Sequence, residues 1–182
     1  MDEIENIQTV YALREAGLLE LPFIYNLILS GSILGVFSDF FISSYGQVKL
    51  FKTLFRDLFL FPAIVGGKFS NRDFYIFMMD GRDIGFIALE DIKVSDTTVE
   101  RHITECALIE SFRHHKHGSH LIRMVVETAS SAARHCAVCT PHAKEMQAIL
   151  KKHGFTLREV IEIPGAFPLN HYVLPLDVEV PL

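Results

Sequence analysis

Hydrophobic residues change their period abruptly at Gly118 of this 182-residue chain, and that change constrains the fold more than any other feature. Val99–Glu110, with Ala107, Leu108 and Ile109 near its end, reads as a strand. A short polar turn follows. From Gly118 onward, Leu121, Ile122, Val125, Val126, Ala129, Ala132 and Ala133 recur at helical spacing, which predicts one apolar helical face ending near Arg134. His135–Thr140 then reads as a short buried strand. A strand–helix–strand unit returns the chain in its original direction, so it implies parallel pairing.

The rest of the chain supplies further strands and helices. Gln8–Ala16 reads as a first strand and Leu18–Ser30 as a helix, with Leu21, Ile24, Tyr25, Ile28 and Leu29 in phase and Pro22 tolerated in its first turn. Gly31–Tyr45 is a bend rich in Ser, Gly and Phe, and Val48–Leu60 predicts a second amphipathic helix ended by Phe61-Pro62. Asp73–Met79 and Arg82–Leu89 flank Asp80-Gly81, a strong hairpin signal, and continue into Val99–Glu110 as a meander. Pro141–His153 predicts a helix with Met146, Ile149 and Leu150 inward and Gly154 as its cap. Phe155–Ile163 and His171–Leu176 read as final strands. With 49% hydrophobic and 21% charged residues, no repeat and no low-complexity linker, the sequence predicts one domain over 1–182. Its class is α/β (α+β), a mixed central sheet of about six to seven strands flanked by about four helices.

The chemistry concentrates where the parallel unit turns from strand to helix. A helix start offers free N–H groups and a partial positive charge, a ready anion site. Gly118 allows close backbone approach, Ser119 adds a hydroxyl, and Arg113, His114, His115, Lys116 and His117 surround the turn with donors. A pyrophosphate is the natural partner.

At this point the chain resembles the GNAT N-acetyltransferases, whose cofactor motif runs Gln/Arg-x-x-Gly-x-Gly/Ala at the same junction. Here it reads Arg113-His114-His115-Lys116-His117-Gly118, with Lys116 in the place of the middle glycine. The order of elements, the Asp80-Gly81 hairpin and the helix end Lys151-Lys152-His153-Gly154-Phe155 are similar as well. The resemblance implies a GNAT-like fold and acetyl-CoA as co-substrate, with no metal. It implies that the strand before the motif is bulged and splayed from its parallel neighbour, with pantetheine in the gap against Leu108 and Ile109. The pyrophosphate would lie on His114 to Ser119, and a backbone N–H near Ile109 would stabilise the oxyanion. An amine would attack directly in a ternary complex. Glu105 is the candidate general base. The family's proton-donating Tyr is replaced by Leu150, which leaves His153, Tyr172 or a water for that step, or an unassisted thiolate. The resemblance implies a small-molecule, peptide or protein amine as acceptor and a possible homodimer, since dimers are common in the family. The rival reading is a coenzyme A-binding module with weak or lost catalysis, favoured by Lys116 and Leu150.

Other motifs carry less. Cys136 and Cys139 form a C-x-x-C, but residues three apart on a strand face opposite ways, so buried thiols are the preferred reading. The histidines at 114, 115, 117 and 120 lack a carboxylate or thiol to complete a metal set. A net charge of −5 without a long basic run argues against nucleic acid. The apolar stretch from Leu18 to Phe41 is too interrupted to span a membrane, and three cysteines with an acidic N-terminus fit the cytoplasm. Phe37, Phe40 and Phe41 read mainly as packing residues, with an apolar acceptor pocket as the alternative and Asp39 placed to pair with a cationic amine.

Overall fold

The computed structural model describes residues 9–59, 64–65, 68–69, 71–95, 98–128, 133–162 and 167–175. The chain begins with β1 (Tyr11–Glu15) and, after a 3-10 turn, α1 (Leu21–Ile33). A second 3-10 turn at Asp39–Ile42 leads into α2 (Ser44–Phe59). A two-residue ribbon, β2 (Ile64–Val65) and β3 (Lys68–Phe69), precedes β4 (Asn71–Met79), β5 (Arg82–Lys93) and β6 (Val99–Leu108). Then come α3 (His117–Thr128), β7 (Ala133–Cys139), α4 (Lys144–Lys152), β8 (Thr156–Ile161) and β9 (Leu169–Val173).

Seven strands form one mixed sheet in the order β1-β4-β5-β6-β7-β9-β8. Only the β6–β7 pair is parallel; the others are antiparallel. That pair is joined through α3, the connection expected from the switch in hydrophobic period. Side-chain alternation divides the core between the two faces of the sheet. Phe74, Ile76, Phe86 and Ala88 pack with Leu21, Ile24, Leu27 and Ile28 of α1 and with Leu50 and Leu54 of α2. On the other face Phe77, Ile87, Ile103, Ala137 and Tyr172 pack with Leu121, Ile122 and Val125 of α3 and Leu150 of α4. Asp80 and Gly81 both take positive φ (50° and 76°), the backbone a two-residue hairpin needs.

Several boundaries differ from the pattern reading. The Gly31–Tyr45 bend is part helix, since α1 runs to Ile33 and α2 starts at Ser44. The Ser43 hydroxyl accepts from the Gly46 N–H at 3.0 Å, which caps α2 ahead of its first apolar residue. The helix expected to reach Arg134 ends at Thr128, and Ala133 and Arg134 belong to β7. They pair with Val99 and Glu100, and that ladder overrides an alanine spacing that suits either structure. Ala129 and Ala132 lie outside the described residues, as do Gln8, Leu60 to Pro62, Ile163 and Leu176. β6 ends at Leu108 rather than Glu110, because Glu110–Phe112 turns as a 3-10 helix. The β2–β3 ribbon had no clear signal. No helix among the described residues is long and apolar enough to cross a membrane.

Candidate functional site

β6 and β7 part company partway along their length. Their parallel register runs from Val99↔Ala133 to Ile103↔Ala137 and stops. Beyond it, β6 stays with β5 while β7 stays with β9. The register of β6 against β5 shifts at the same level, where Thr104 is the extra residue between Ile103 and Glu105. Such a bulge bends a strand. Arg72 of β4 fixes it, donating from Nε to Thr104 Oγ1 at 3.1 Å and pairing with the Glu105 carboxylate. The Ile109 N–H donates to Ile84 O at 2.9 Å, so it is already engaged across the sheet. By the alternation of an antiparallel ladder, the N–H groups of Cys106 and Leu108 point the other way, into the gap. The Leu108 carbonyl accepts from Arg113 Nε at 3.1 Å. The main-chain donors facing the gap are therefore those of Cys106 and Leu108.

The turn that follows is built on left-handed backbone. His114 and Lys116 take φ of 64° and 65°. Lys116 thus adopts the conformation for which a glycine would be the ordinary choice. With Arg113 extended before them, these two left-handed residues turn the chain sharply between β6 and α3. Lys116 O accepts from Ser119 and His120 and closes the first turn of α3. The Ser119 N–H is used in that contact, and its hydroxyl shares a 2.7 Å hydrogen bond with His153 Nε2. Gly118 is helical; a Cβ there would sit 3.0 Å from Ile149 Cδ1 and 3.9 Å from Leu108 Cδ1, so its role is to keep space open.

The histidines of the turn disperse. His117 hydrogen-bonds Tyr11 at 2.9 Å and lies against Phe112, while His120 stacks on Tyr11 and accepts from Arg123 at 2.8 Å. Burial first, and then neighbouring cations and imidazoles, holds His117 and His120 below the usual imidazole range. His114 is exposed and pairs with Glu145 of α4 at 3.1 Å. Of the seven residues from Arg113 to Ser119, the structure brings Arg113, His114, Lys116, Gly118 and Ser119 to the cavity wall; His115 and His117 are not in it.

A cavity of about 730 Å³ starts at this turn and runs along the end of β6, beyond the last β6–β7 pair. Cys106, Ala107 and Leu108 form one wall, and Lys144, Ala148, Ile149 and Lys152 of α4 form another. The sequence reading missed this second wall. Its signal was available, since 144, 148 and 152 recur at helical spacing on one face and place two lysines beside the turn. The far end opens at Gly31, Leu34, Val36, Phe37 and His142. Thr140 ties the end of β7 to that rim, donating to Gly35 O and Val36 O at 3.2 and 3.1 Å. Of the aromatic bend, only Phe37 reaches the cavity; Phe40, Phe41 and Asp39 do not line it.

Groups able to move protons sort by position. Glu105 is engaged by Arg72, which also lies 3.8 Å from Asp57, and it is not in the cavity wall. Leu150 is fully buried in the core. Tyr172 is buried and donates to Gln147 Oε1, whose amide donates to the carbonyls of Thr140 and Pro141, so its hydroxyl braces the β7–α4 loop. His142 does line the cavity, held edge-on by Phe167 with ring centroids 5.1 Å apart. Burial pushes the Cys106 thiol up to about 12, so it stays protonated near neutrality.

No protein-family model and no curated protein matches the chain. Solved structures do. The aminoglycoside acetyltransferase AAC(6')-Ib in complex with ribostamycin and coenzyme A is similar at 18% identity, with TM-score 0.66 over 90% of this chain and 92% of that one. The spermidine N-acetyltransferase from Vibrio cholerae in complex with CoA and spermine is similar at 14% identity, with TM-score 0.63 over 90% and 94%. A chain from Desulfovibrio desulfuricans assigned to the GNAT acetyltransferases is similar at 12% identity, with TM-score 0.63 over 92% and 99%. The fold of this chain is the GNAT fold.

Proposed function

We propose that this chain binds acetyl-coenzyme A in the gap between β6 and β7 and transfers the acetyl group to an amine that enters beside α1. The observation that carries this reading is the continuity of the cavity, from the left-handed turn along the end of β6 to an open rim. Neighbours of the same fold hold coenzyme A together with an amine-bearing molecule, ribostamycin in one and spermine in the other.

The pyrophosphate is placed on the turn, with the N–H groups of His114 to Gly118 as donors and Arg113, Lys116, Lys144 and Lys152 as counter-charges. The amide-rich pantetheine arm follows Cys106 and Leu108. The Leu108 N–H takes over the oxyanion role expected near Ile109, whose own N–H is held by Ile84. With Cys106 protonated, the amine attacks the thioester directly, and binding both substrates together supplies much of the rate. His142 is the best-placed group to take the ammonium proton; Glu105 holds the β6 bulge through Arg72. A departing thiolate resembles a cysteine thiolate, with pKa about 8.5, so it leaves without a dedicated acid. A second reading, a coenzyme A-binding module without turnover, draws on one observation: α4 places no phenol in the cavity wall.

Free-thiol release from acetyl-CoA over a panel of amines separates the two. Turnover on any amine establishes the enzyme; tight coenzyme A binding with no release across the panel establishes the module. His142→Gln is expected to lower kcat/KM by about 10²-fold or more and remove the acid limb of its pH profile, the fall in rate that protonating a base produces. Glu105→Gln keeps that limb. The opposite pattern assigns the base to Glu105.

A further inference from the structure

On the sheet face opposite α3 and α4, three adjacent strands bring His102, Cys136 and His171 together. His102 of β6 and Cys136 of β7 are direct partners in the parallel register, one step before the splay. His171 of β9 pairs with Val138, two residues along and on the same face as Cys136. The potential ligand atoms of the three lie within 4.8 Å of one another. The two imidazoles are nearly parallel, with centroids 6.0 Å apart.

Each histidine is also oriented. Glu159 lies 3.2 Å from His171 Nδ1, and Glu100 lies 3.2 Å from His102 Nε2. An ionised carboxylate can only accept, so these ring nitrogens carry the protons and the opposite ones carry lone pairs. His171 Nε2 is buried with no hydrogen-bond partner, on a residue only 7% exposed. A buried polar atom left unpaired is costly unless a ligand occupies it. A carboxylate fixing the far nitrogen of an imidazole is the arrangement that orients metal-binding histidines.

We propose that His102, Cys136 and His171 form a zinc site that staples β6, β7 and β9 at the base of the splay. Two imidazoles and a thiolate suit Zn2+ by ligand type. Bonds of about 2.0–2.3 Å separate tetrahedral ligands by about 3.3–3.8 Å, so a modest closing of the three side chains fills three of the four positions. On binding, Cys136 forms the sulfur–zinc bond and releases its thiol proton to water. Cys139 takes no part, because it faces the α3–α4 core. The C-x-x-C spacing is thus incidental, and the ligands come from three strands distant in sequence.

The test uses the full chain stripped of metal with a chelator. Titration with Co2+ should give, at one equivalent, a thiolate-to-cobalt charge-transfer band and the intense visible bands of a tetrahedral ion, both displaced by Zn2+. Cys136→Ser and His171→Gln should abolish the charge-transfer band, and Cys139→Ser should leave it. Glu159 is mostly exposed, so Glu159→Gln should fold and should weaken Zn2+ binding about 10- to 100-fold. X-ray absorption of the zinc-loaded wild type should show one sulfur at about 2.3 Å and nitrogens at about 2.0–2.1 Å, independent of any variant's folding. The proposal is overturned by the absence of a sulfur ligand, by Zn2+ binding indifferent to Glu159→Gln, or by binding lost only when His114 and His115 are replaced.

Discussion

Lys116 is the residue on which the cofactor turn departs most from its family pattern, and the structure gives the departure a physical meaning. A side chain at φ 65° costs about 1–2 kcal/mol relative to glycine. Part of that is returned because lysine restricts the unfolded chain by about 0.4–1 kcal/mol more than glycine does. Lys116→Gly is therefore expected to stabilise the fold by about 0.5–1 kcal/mol, read from the urea midpoint, while weakening coenzyme A binding through loss of a cation. Lys116→Val, β-branched at the same φ, is expected to destabilise it. A lower midpoint for the glycine variant would contradict the left-handed assignment. This much could not be read from the sequence. Arg113 to Ser119 marked the place of the turn, but which side chains face the ligand depends on backbone handedness. Three-dimensional neighbours such as Tyr11, which draws His117 away from the cavity, decide the rest.

Among elements, the β6–α3–β7 unit was the most legible, because a change from strand to helical period survives any detail of packing. Its α3 boundary was not, since alanines at 129, 132 and 133 suit helix or strand and a ladder with β6 settled the last of them. The wall supplied by α4 was less legible because the strongest apolar signal of that helix, Leu150 above all, marks its core face, and the cavity takes the opposite stripe of Lys144, Ala148 and Lys152. The rim beside α1 is tied to the end of β7 by Thr140, which donates to the carbonyls of Gly35 and Val36. Thr140→Val keeps the volume and removes that donor, at a cost of about 1–2 kcal/mol. Its expected kinetic signature is a raised KM for the amine with little change in KM for acetyl-CoA. An equal rise in both would show that the rim does not belong to the acceptor end.

For the molecule as a whole, the histidines set a pH dependence of stability. Burial holds His117, His120 and His153 below the ordinary imidazole range of about 6.5, aided at His120 and His153 by Arg123 and Lys152. The folded state keeps these groups neutral, while the unfolded chain protonates them at the ordinary value. The unfolded state therefore binds more protons once pH falls below about 6.5, and the stability present above that pH is lost progressively below it. Thermal unfolding with coenzyme A absent should show Tm falling with acidification below about 6.5, less steeply in His120→Gln. A Tm flat from neutrality down to about pH 5 would mean that these imidazoles titrate in the fold as they do in water.

The central claim, that the splay and its left-handed turn are the coenzyme A site, is tested most directly by residue-resolved amide hydrogen exchange with and without acetyl-CoA. Protection is expected at Cys106 and Leu108 and across His114 to Gly118, and it should vanish in Gly118→Leu, whose side chain would meet Ile149 and Leu108. Protection confined to other strands, or unchanged in Gly118→Leu, would contradict the assignment.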